Sequence, residues 1–254
     1  MLEIRSLSKR FGGLAAVNDV STVIERGRIN AIIGPNGAGK TTFFNLISGM
    51  LRPGSGSILL EGRDVTGWRA DRVARLGVAR TFQTTTLFDK ASVLDNLIVG
   101  HRLRTRSRLW DVLVQSSRLK AEERACRDKA REALDFVGLS HMERRMAADL
   151  TQEERKRVAF ALALATGPRL VLLDEPAGGV NPEETEGLSR LIRQMVKSGL
   201  TVCLIEHKIS MIMSLADKIM VLNYGMKIAE GTPDQIRADP AVIDAYLGNE
   251  HAVA

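Results

Sequence analysis

The chain has 254 residues, and its 36 Lys and Arg against 30 Asp and Glu give a formal net charge of +6 at pH 7. Hydrophobic residues make up 44% of it and charged residues 26%, which is typical of one large or two small globular domains and excludes disordered, collagen-like and coiled-coil chains. The longest apolar runs, VAFALALAT and LVLL, fall short of the roughly 18 residues that a membrane span needs, and residues 1–13 lack the apolar core of a signal peptide.

The first third of the chain predicts short strands around a glycine-rich loop. Residues 2–11 and 15–25 alternate apolar and polar side chains, which is typical of strands with one buried face. Residues 28–34 are apolar almost throughout, as expected of a strand buried on both faces, and they run directly into the glycine-rich loop and a helix from about residue 40. A further strand is predicted at 58–62, followed by mixed sequence to about residue 100.

The second half predicts a helical block followed by alternating helices and strands. From about residue 102 to 146 the composition changes to Arg, Glu, Ala and Leu with helical spacing, and we place a helical subdomain at about 90–155. The later predicted elements are a helix ending at Ala165, a strand at 170–175, a helix at 182–198, a strand at 201–207, a helix at 209–216 and a strand at 218–223. Strands that alternate with helices predict a mainly parallel α/β sheet.

The basic character of the chain is concentrated in HRLRTRSRLW at 101–110. Aromatic residues make up only 4% of the chain, so the stacking platforms of single-strand nucleic-acid binders are scarce. We therefore favour a solvated basic face, then a surface for anionic lipid or an acidic partner, and place nucleic acid last.

Two further residue types carry no chemistry in this interpretation. Cys126 and Cys203 are far apart and form no metal or redox spacing, which fits a reducing cytoplasm. The methionines at 211, 213, 220 and 226 fit packed helix and strand positions, and we predict that they lie in the core.

The strongest motif is GPNGAGKTT at 34–42, a full match to GxxxxGK[ST] between a predicted strand and a predicted helix. In such a loop the glycines let successive backbone N–H groups surround a polyphosphate, and the helix N-terminus adds positive potential. Lys40 would reach the β- and γ-phosphates and the Thr41 hydroxyl would bind Mg²⁺, so the motif predicts a nucleoside triphosphate site. The predicted nucleotide-binding residues here are Gly34, Pro35, Asn36, Gly37, Ala38, Gly39, Lys40, Thr41 and Thr42.

Two carboxylates, Asp174 and Glu175, end the predicted strand LVLLDE. Ligands of parallel α/β sheets bind at the carboxyl ends of the strands. We assign Asp174 to Mg²⁺, through water, and Glu175 to polarising the attacking water as general base. Alone, such a pair is more often a helix or loop cap, but its combination with the glycine-rich loop favours the functional interpretation.

Four motifs, GPNGAGKTT, TFQ, LVLLDEP and LIEH, follow one another in the order and approximate spacing of ABC transporter ATPase subunits, and the match covers essentially the whole chain. The sequences KRFGGLAAVNDVS, LDEPAGGVNPEE and YGMKIAEGTP further resemble the ATP-binding subunits of branched-chain amino acid importers. The resemblance implies a single domain over 1–254 with the α/β P-loop NTPase fold of ABC ATPases. In that fold a RecA-like parallel core carries an antiparallel β subdomain and the α-helical subdomain.

The resemblance completes the predicted catalytic and metal sites. Gln83 of TFQ resembles the glutamine that contacts Mg²⁺ and the attacking water and senses the membrane subunits. His207 of LIEH resembles the switch histidine at the γ-phosphate, to which a neutral imidazole donates one hydrogen bond. The implied catalytic residues are therefore Glu175, His207 and Gln83, and the implied Mg²⁺ residues are Thr41, Gln83 and Asp174.

Two more positions take their roles from the resemblance. Phe11 precedes the phosphate loop in the family's aromatic position, where it would stack on adenine; a core Phe in a strand is the alternative. Asn181 of GGVNP lies where the family contacts the partner subunit.

The family's signature, roughly LSGGQ or LSYGEQ, is altered in this chain. The aligned residues begin at Leu150, so Thr151 keeps a hydroxyl in the serine's place, but Glu153 replaces the glycine that approaches the γ-phosphate of the partner's ATP. A carboxylate roughly 5 Å from a phosphate charge costs on the order of 3 kcal/mol at an effective dielectric of about 20. This is an upper bound, because the side chain can turn toward solvent or a basic neighbour, and misalignment or simple tolerance is the alternative. Thr151 and Glu153 complete the predicted nucleotide-binding set.

We therefore expect an ATP- and Mg²⁺-dependent ATPase that couples hydrolysis to the import of branched-chain amino acids or a similar small solute. It would lie peripherally on the cytoplasmic face of the inner membrane, with membrane permease subunits as partners and a solute-binding protein as an indirect one. A heterodimer with a second ATP-binding subunit is favoured over a homodimer, and no nucleic acid is expected. The alternatives are a soluble ABC ATPase acting on nucleic acid or ribosomes, and a binding-only regulatory subunit with a degenerate signature.

Overall fold

A computed structural model describes residues 1–81, 87–102 and 117–247 of the chain. It divides into two compact units, one formed by Met1–Gln83 and Arg169–Ala254 and the other by Thr84–Pro168. The strands in chain order are β1 (Leu2–Phe11), β2 (Leu14–Ile24), β3 (Ile29–Ile33), β4 (Ser55–Leu60), β5 (Arg63–Asp64), β6 (Val78–Arg80), β7 (Leu170–Asp174), β8 (Thr201–Ile205), β9 (Lys218–Asn223) and β10 (Met226–Gly231). The helices are α1 (Lys40–Ile47), α2 (Ala70–Arg75), α3 (Val93–Arg102), α4 (Ser117–Phe136), α5 (Gln152–Ala165), α6 (Pro182–Lys197), α7 (Ile209–Leu215), α8 (Pro233–Ala238) and α9 (Pro240–Leu247).

A four-stranded antiparallel sheet in the first unit has the order β2-β1-β4-β5. Its strands alternate because only one face is covered: Leu2 and Ile4 of β1 and Val17 and Val20 of β2 are buried, whereas their neighbours Arg5 and Asp19 are exposed. The predicted antiparallel β subdomain is therefore confirmed.

The second sheet of this unit has the order β10-β9-β3-β8-β7-β6 and is parallel except for β10. Every residue of β3, β7 and β8 is buried, which explains why these strands are continuous apolar runs. Because they are parallel neighbours, their carboxyl ends meet at one edge: Ile32 pairs with Ile205, and Asp174 pairs with Ile205 on the other side. The loops after β3, β7 and β8 therefore emerge side by side.

One helix of this unit shares its core with both sheets. Phe43, Phe44, Leu46 and Ile47 of α1 belong to a single buried cluster with residues of the antiparallel sheet and of the parallel sheet. Phe43 and Phe44 are fully buried, and aromatic rings bury a large apolar surface each. The start of α1 is thus fixed relative to both sheets.

The second unit is helical. It contains α3, α4 and α5, with short 3₁₀ turns at Ser140–Met142 and Ala147–Asp149. The N-terminus of α5 is defined by a capping box, in which the Thr151 hydroxyl accepts a hydrogen bond from the Glu154 N–H and the Glu154 carboxylate accepts one from the Thr151 N–H.

Strands and helices predicted from periodicity lie within a few residues of their predicted bounds, and the mainly parallel sheet is confirmed. The short elements β5, β6 and α2 were not predicted, nor were β10, α8 and α9. The prediction for Met226 is wrong: it lies on the edge strand β10 and is 47% exposed, whereas Met211 and Met220 are buried. Within the described ranges, none of the helices has the length and apolar character needed to cross a bilayer.

Candidate nucleotide-binding site

The glycine-rich loop connects β3 to α1 and can have no side chain at two of its positions. Gly34 has a φ of +149°, and a Cβ there would lie 2.0 Å from the carbonyl oxygen of Leu222. Gly39 has a φ of +97°, and its Cβ would lie 2.2 Å from the carbonyl oxygen of Ala16. Both glycines are required because the backbone of neighbouring strands approaches the loop closely. Gly37, with a φ of +79°, faces open space.

Lys40, the first residue of α1, points back into this loop. Its ammonium donates hydrogen bonds to the carbonyl oxygens of Gly34 at 2.7 Å and Pro35 at 2.8 Å. Burial lowers the pKa of the Lys40 ammonium, and the Glu175 carboxylate nearby partly offsets this effect. A cation at the N-terminus of a helix, next to a glycine-rich loop, is an arrangement suited to a polyphosphate.

The turn between β9 and β10 and the last helix support the loop. The N–H of Gly225 donates to the carbonyl oxygen of Ala38 at 3.1 Å, and the carbonyl oxygen of Gly225 accepts from the N–H of Asn18 at 2.8 Å. Burial raises the pKa of Tyr246 in α9 to about 12, against the opposing effect of a hydrogen bond with the Gly34 backbone. Sequence reasoning missed these supports, because neither YG nor AYL has a local pattern that points to a loop about 200 residues away.

Asp174 ends β7 and is paired with an arginine. Its Oδ2 accepts a hydrogen bond from the Arg80 guanidinium at 2.8 Å, and both side chains are only 8% exposed. Arg80 also donates to Asn45 Oδ1 at 2.7 Å and to Ser48 Oγ at 2.9 Å, and it lies over the Phe44 ring. Arg80 is not among the residues predicted for the site. The sequence signal for it is a charged residue directly after the short apolar run GVA.

Glu175 and His207 contact each other across neighbouring loops. Glu175 Oε1 lies 2.7 Å from His207 Nε2, and the Glu175 N–H donates to the carbonyl oxygen of Ile205 at 2.9 Å. Glu175 has a φ of +48°, in the left-handed region that is rare for a non-glycine residue. Such strain concentrates at functional sites, where the surroundings hold it. The structure thus brings two predicted catalytic residues together on one unit with the phosphate loop.

The donor set near the loop is chemically suited to Mg²⁺. Thr41 lies in the first turn of α1 and Asp174 at the end of β7, so a hydroxyl and a carboxylate come from two elements at the same sheet edge. Mg²⁺ prefers oxygen ligands and is usually held by one or two carboxylates together with substrate phosphates.

Phe11 lies at the end of β1 and is 47% exposed, with the Lys9 ammonium 5.5 Å from its ring centroid. The alternative that Phe11 is a core residue is therefore wrong. Its predicted role in stacking on adenine stays a prediction, which an exposed aromatic face permits.

The altered signature is at the start of α5, in the second unit. Glu153 Oε1 accepts hydrogen bonds from Arg157, with Nε at 2.7 Å and Nη2 at 2.6 Å, and Arg157 Nη1 donates to the carbonyl oxygen of Val137 at 3.1 Å. The repulsion between Glu153 and the γ-phosphate of the partner's ATP is therefore smaller than the value expected for an isolated carboxylate, because the ion pair carries no net charge. Gln83, and residues 103–110 of the basic stretch, lie outside the described residues.

Two family models match the chain. The model described as "ABC transporter" matches residues 17–178, and the model described as "Branched-chain amino acid ATP-binding cassette transporter" matches residues 226–252. The first range contains the phosphate loop, Asp174 and Glu175, and the second contains Tyr246.

Proteins and structures similar over their whole length agree with these matches. The chain is 40% identical over 249 residues to the high-affinity branched-chain amino acid transport ATP-binding protein BraF of Pseudomonas aeruginosa, and 39% identical to LivG of Escherichia coli, with 98% of each protein covered. A nucleotide-free ATP-binding cassette from an ABC transporter superposes with a TM-score of 0.85 at 31% identity, covering 97% of this chain and 98% of the other. The ADP conformation of MJ1267, an ATP-binding cassette of an ABC transporter, gives a TM-score of 0.86 at 32% identity, with 98% of both chains covered.

Proposed function

This chain belongs to the ABC transporter family, and we propose that it is the ATP-hydrolysing subunit of an importer for branched-chain amino acids or a similar small solute. The observation that carries the hydrolytic part is the 2.7 Å contact between Glu175 and His207 on the same unit as the Lys40 loop. The solute class rests on the names of relatives that are about 40% identical over nearly the whole chain.

In the proposed reaction, water attacks the γ-phosphorus of ATP, the bond to the bridging oxygen breaks, and ADP and phosphate leave. Glu175 accepts the proton of the attacking water, and His207 Nε2, which contacts that carboxylate, orients it. The predicted hydrogen bond from His207 to the γ-phosphate would require this N–H to turn from Glu175 to the phosphate, because a neutral imidazole has only one N–H. Lys40 and the loop N–H groups neutralise the phosphate charge. When bound, Mg²⁺ supplies further charge neutralisation, and Thr41, Asp174 and Gln83 are the residues that would hold it.

The partners are also part of the proposal. A second ATP-binding subunit would face the site through its own signature, while Thr151 and Glu153 of this chain would face the partner's ATP. At the cytoplasmic face of the inner membrane, hydrolysis would be coupled to membrane permease subunits. A solute-binding protein would interact with the permease and only indirectly with this chain. A binding-only regulatory subunit is the second candidate, because Glu153 stands in the position of the signature glycine.

The test compares the wild type with Glu175→Gln and Lys40→Ala in the complex that co-purifies with the chain. Glu175→Gln should lower turnover at least about 100-fold while MgATP still binds, because the amide keeps the shape but cannot take the proton. Lys40→Ala should lower MgATP affinity at least about tenfold in isothermal titration, since no other cation replaces the ammonium in the loop.

Equal turnover of wild type and Glu175→Gln would contradict the assignment of the base. MgATP binding without any turnover in the wild-type complex would favour the regulatory subunit instead. The permease that co-purifies, assayed for uptake of leucine, isoleucine and valine, tests the solute class.

A further inference from the structure

The residue before His207 is a buried carboxylate that accepts hydrogen bonds from backbone N–H groups. Glu206 is 2% exposed. Its Oε1 accepts a hydrogen bond from the N–H of Ala177 at 2.7 Å, and its Oε2 accepts from the N–H of His207 at 2.7 Å and of Lys208 at 3.3 Å. Glu206 thus joins the loop after β8 to the loop after β7. A buried charge costs free energy unless hydrogen bonds compensate it, and here backbone donors of both loops do so.

The residue after His207 also connects the loop after β8 to the segment that follows β7. The Lys208 ammonium donates to the carbonyl oxygen of Val180 at 2.9 Å and to Thr185 Oγ1 at 2.9 Å. Thr185 Oγ1 in turn donates to the carbonyl oxygen of Asn181, the residue that caps α6. Lys208 therefore holds the far end of the segment that begins at Glu175.

Three consecutive residues of the loop after β8 thus contact three different places in the segment that follows β7. We call Glu206, His207 and Lys208, with their contacts to residues 175–185, the loop clamp. We propose that Glu206 and Lys208 are positioning residues for ATP hydrolysis, which hold Glu175 and His207 at contact distance by fixing the backbone on both sides of His207 and the segment that follows Glu175. This inference deepens the proposed function and rests on it.

The backbone of Glu175 explains why a clamp is needed. A left-handed conformation is strained for a non-glycine residue, and it persists only where the surroundings enforce it. When Lys208 no longer binds the carbonyl oxygen of Val180, the segment after Glu175 loses this contact with the loop after β8, and Glu175 can relax toward an ordinary φ and leave His207. A displacement of about 1 Å in a catalytic group can cost on the order of a hundredfold in rate.

The first experiment replaces Lys208 by methionine, which keeps the apolar stem and removes the donor. In the full chain within its co-purified complex, Lys208→Met should lower kcat about tenfold or more while the Kd for MgATP, from titration of the same complex, stays within about twofold. Lys197→Met, the same substitution at the exposed end of α6, is the matched control and should keep the wild-type kcat.

A second pair of variants tests the other end of the contact. Thr185→Val removes the hydroxyl that Lys208 contacts and should lower kcat, whereas Thr185→Ser keeps it and should restore most of the rate. This pair also serves if Lys208→Met does not fold. An unchanged kcat in Lys208→Met and Thr185→Val, or a Kd that rises in step with a fall in kcat/KM while kcat stays constant, would overturn the proposal.

Hydrogen exchange of the full chain provides a readout that needs no turnover. The amides of Ala177 and Gly178, which donate to Glu206 and to the Glu175 carbonyl oxygen, should exchange at least about tenfold faster in Lys208→Met than in Lys197→Met. Faster exchange in a chain whose wild type hydrolyses no ATP would preserve the clamp and refute the proposed function. Normal wild-type turnover with unchanged exchange and unchanged kcat in Lys208→Met would refute the clamp alone.

Discussion

Arg80 shows how one side chain can join three parts of the nucleotide site. Its guanidinium contacts Asp174 at the end of β7 and two residues at the end of α1, so the carboxylate assigned to Mg²⁺ is tied to the helix that begins with Lys40. The planar fork of arginine can make these bonds at once, which the single ammonium of a lysine cannot do with the same geometry.

We predict that Arg80→Met destabilises the chain by about 3–5 kcal/mol, because it leaves the Asp174 carboxylate buried without its partner. In a thermal melt this corresponds to a fall in Tm of about 6–20 °C. The double variant Arg80→Met with Asp174→Asn should regain part of the loss, since it removes both charges. A melt of Arg80→Met that coincides with the wild type would show that the ion pair contributes nothing.

Residues at the ends of long strands were the easiest to predict, and residues in short elements the hardest. Asp174 ends a five-residue buried strand, Glu175 follows it, and His207 lies two residues after another such strand. The parallel arrangement requires that the ends of these strands meet. Arg80 ends β6, which has three residues and no room for a periodic pattern. Its partners, Asn45 and Ser48, are distant in sequence, so the cluster exists only in the folded chain.

At the scale of elements, the phosphate loop depends on its glycines for two different reasons. At Gly34 a side chain would collide with the backbone of β9, whereas at Gly37 the requirement is only the positive φ. The GxxxxGK[ST] spacing requires glycine at position 34 but leaves position 37 open, and it does not give the cause at Gly34, because the colliding atom belongs to Leu222.

We expect Gly34→Ala to cost at least about 4 kcal/mol, because backbone rather than a flexible side chain lies in the way. Gly37→Ala should cost only about 1–2 kcal/mol, the usual penalty of a left-handed alanine. Urea denaturation of both variants measures the difference, and comparable losses in the two would contradict the close approach to Leu222.

The start of α5 explains how a chain can carry an acidic residue in place of the signature glycine. Glu153 lies in the first turn, where a negative charge interacts favourably with the helix dipole, and Arg157 is four residues later on the same face. The sequence predicts a helix ending at Ala165, but the capping role of Thr151 is seen only in the structure. Sequence spacing alone does not predict whether the Glu153 side chain points to solvent, to a phosphate or to Arg157.

For the whole molecule, the altered signature bears on how two ATP-binding subunits combine. In the proposed arrangement each nucleotide lies between one subunit's phosphate loop and the other's signature. A homodimer would then have two altered sites, and a heterodimer with an unaltered second subunit would have one. The fold resembles other ATP-binding cassettes and does not distinguish a homodimer from a heterodimer. Only the altered sequence at the start of α5 bears on that choice.

We predict that the purified chain is a poor ATPase by itself and that adding the second ATP-binding subunit of its permease raises turnover. Glu153→Gly should raise the turnover of the chain alone by less than about tenfold, well under the hundredfold that 3 kcal/mol would give, because Arg157 already neutralises the carboxylate. Arg157→Met should lower it by exposing that charge. The measurement is steady-state ATPase at matched, saturating protein concentration, and a wild-type chain already as fast as the mixture would exclude the heterodimer requirement.

The turn between β9 and β10 has a practical consequence for spectroscopy. Tyr224, at its tip, is 75% exposed and would be the natural choice for a fluorophore, an affinity tag or an inserted epitope. Its neighbour Gly225, however, uses both backbone groups to connect β2 with the phosphate loop. A label at Tyr224 would therefore disturb the nucleotide site whose state it is meant to report. Probes that must not affect the nucleotide site should be placed at exposed positions of α6 such as Lys197.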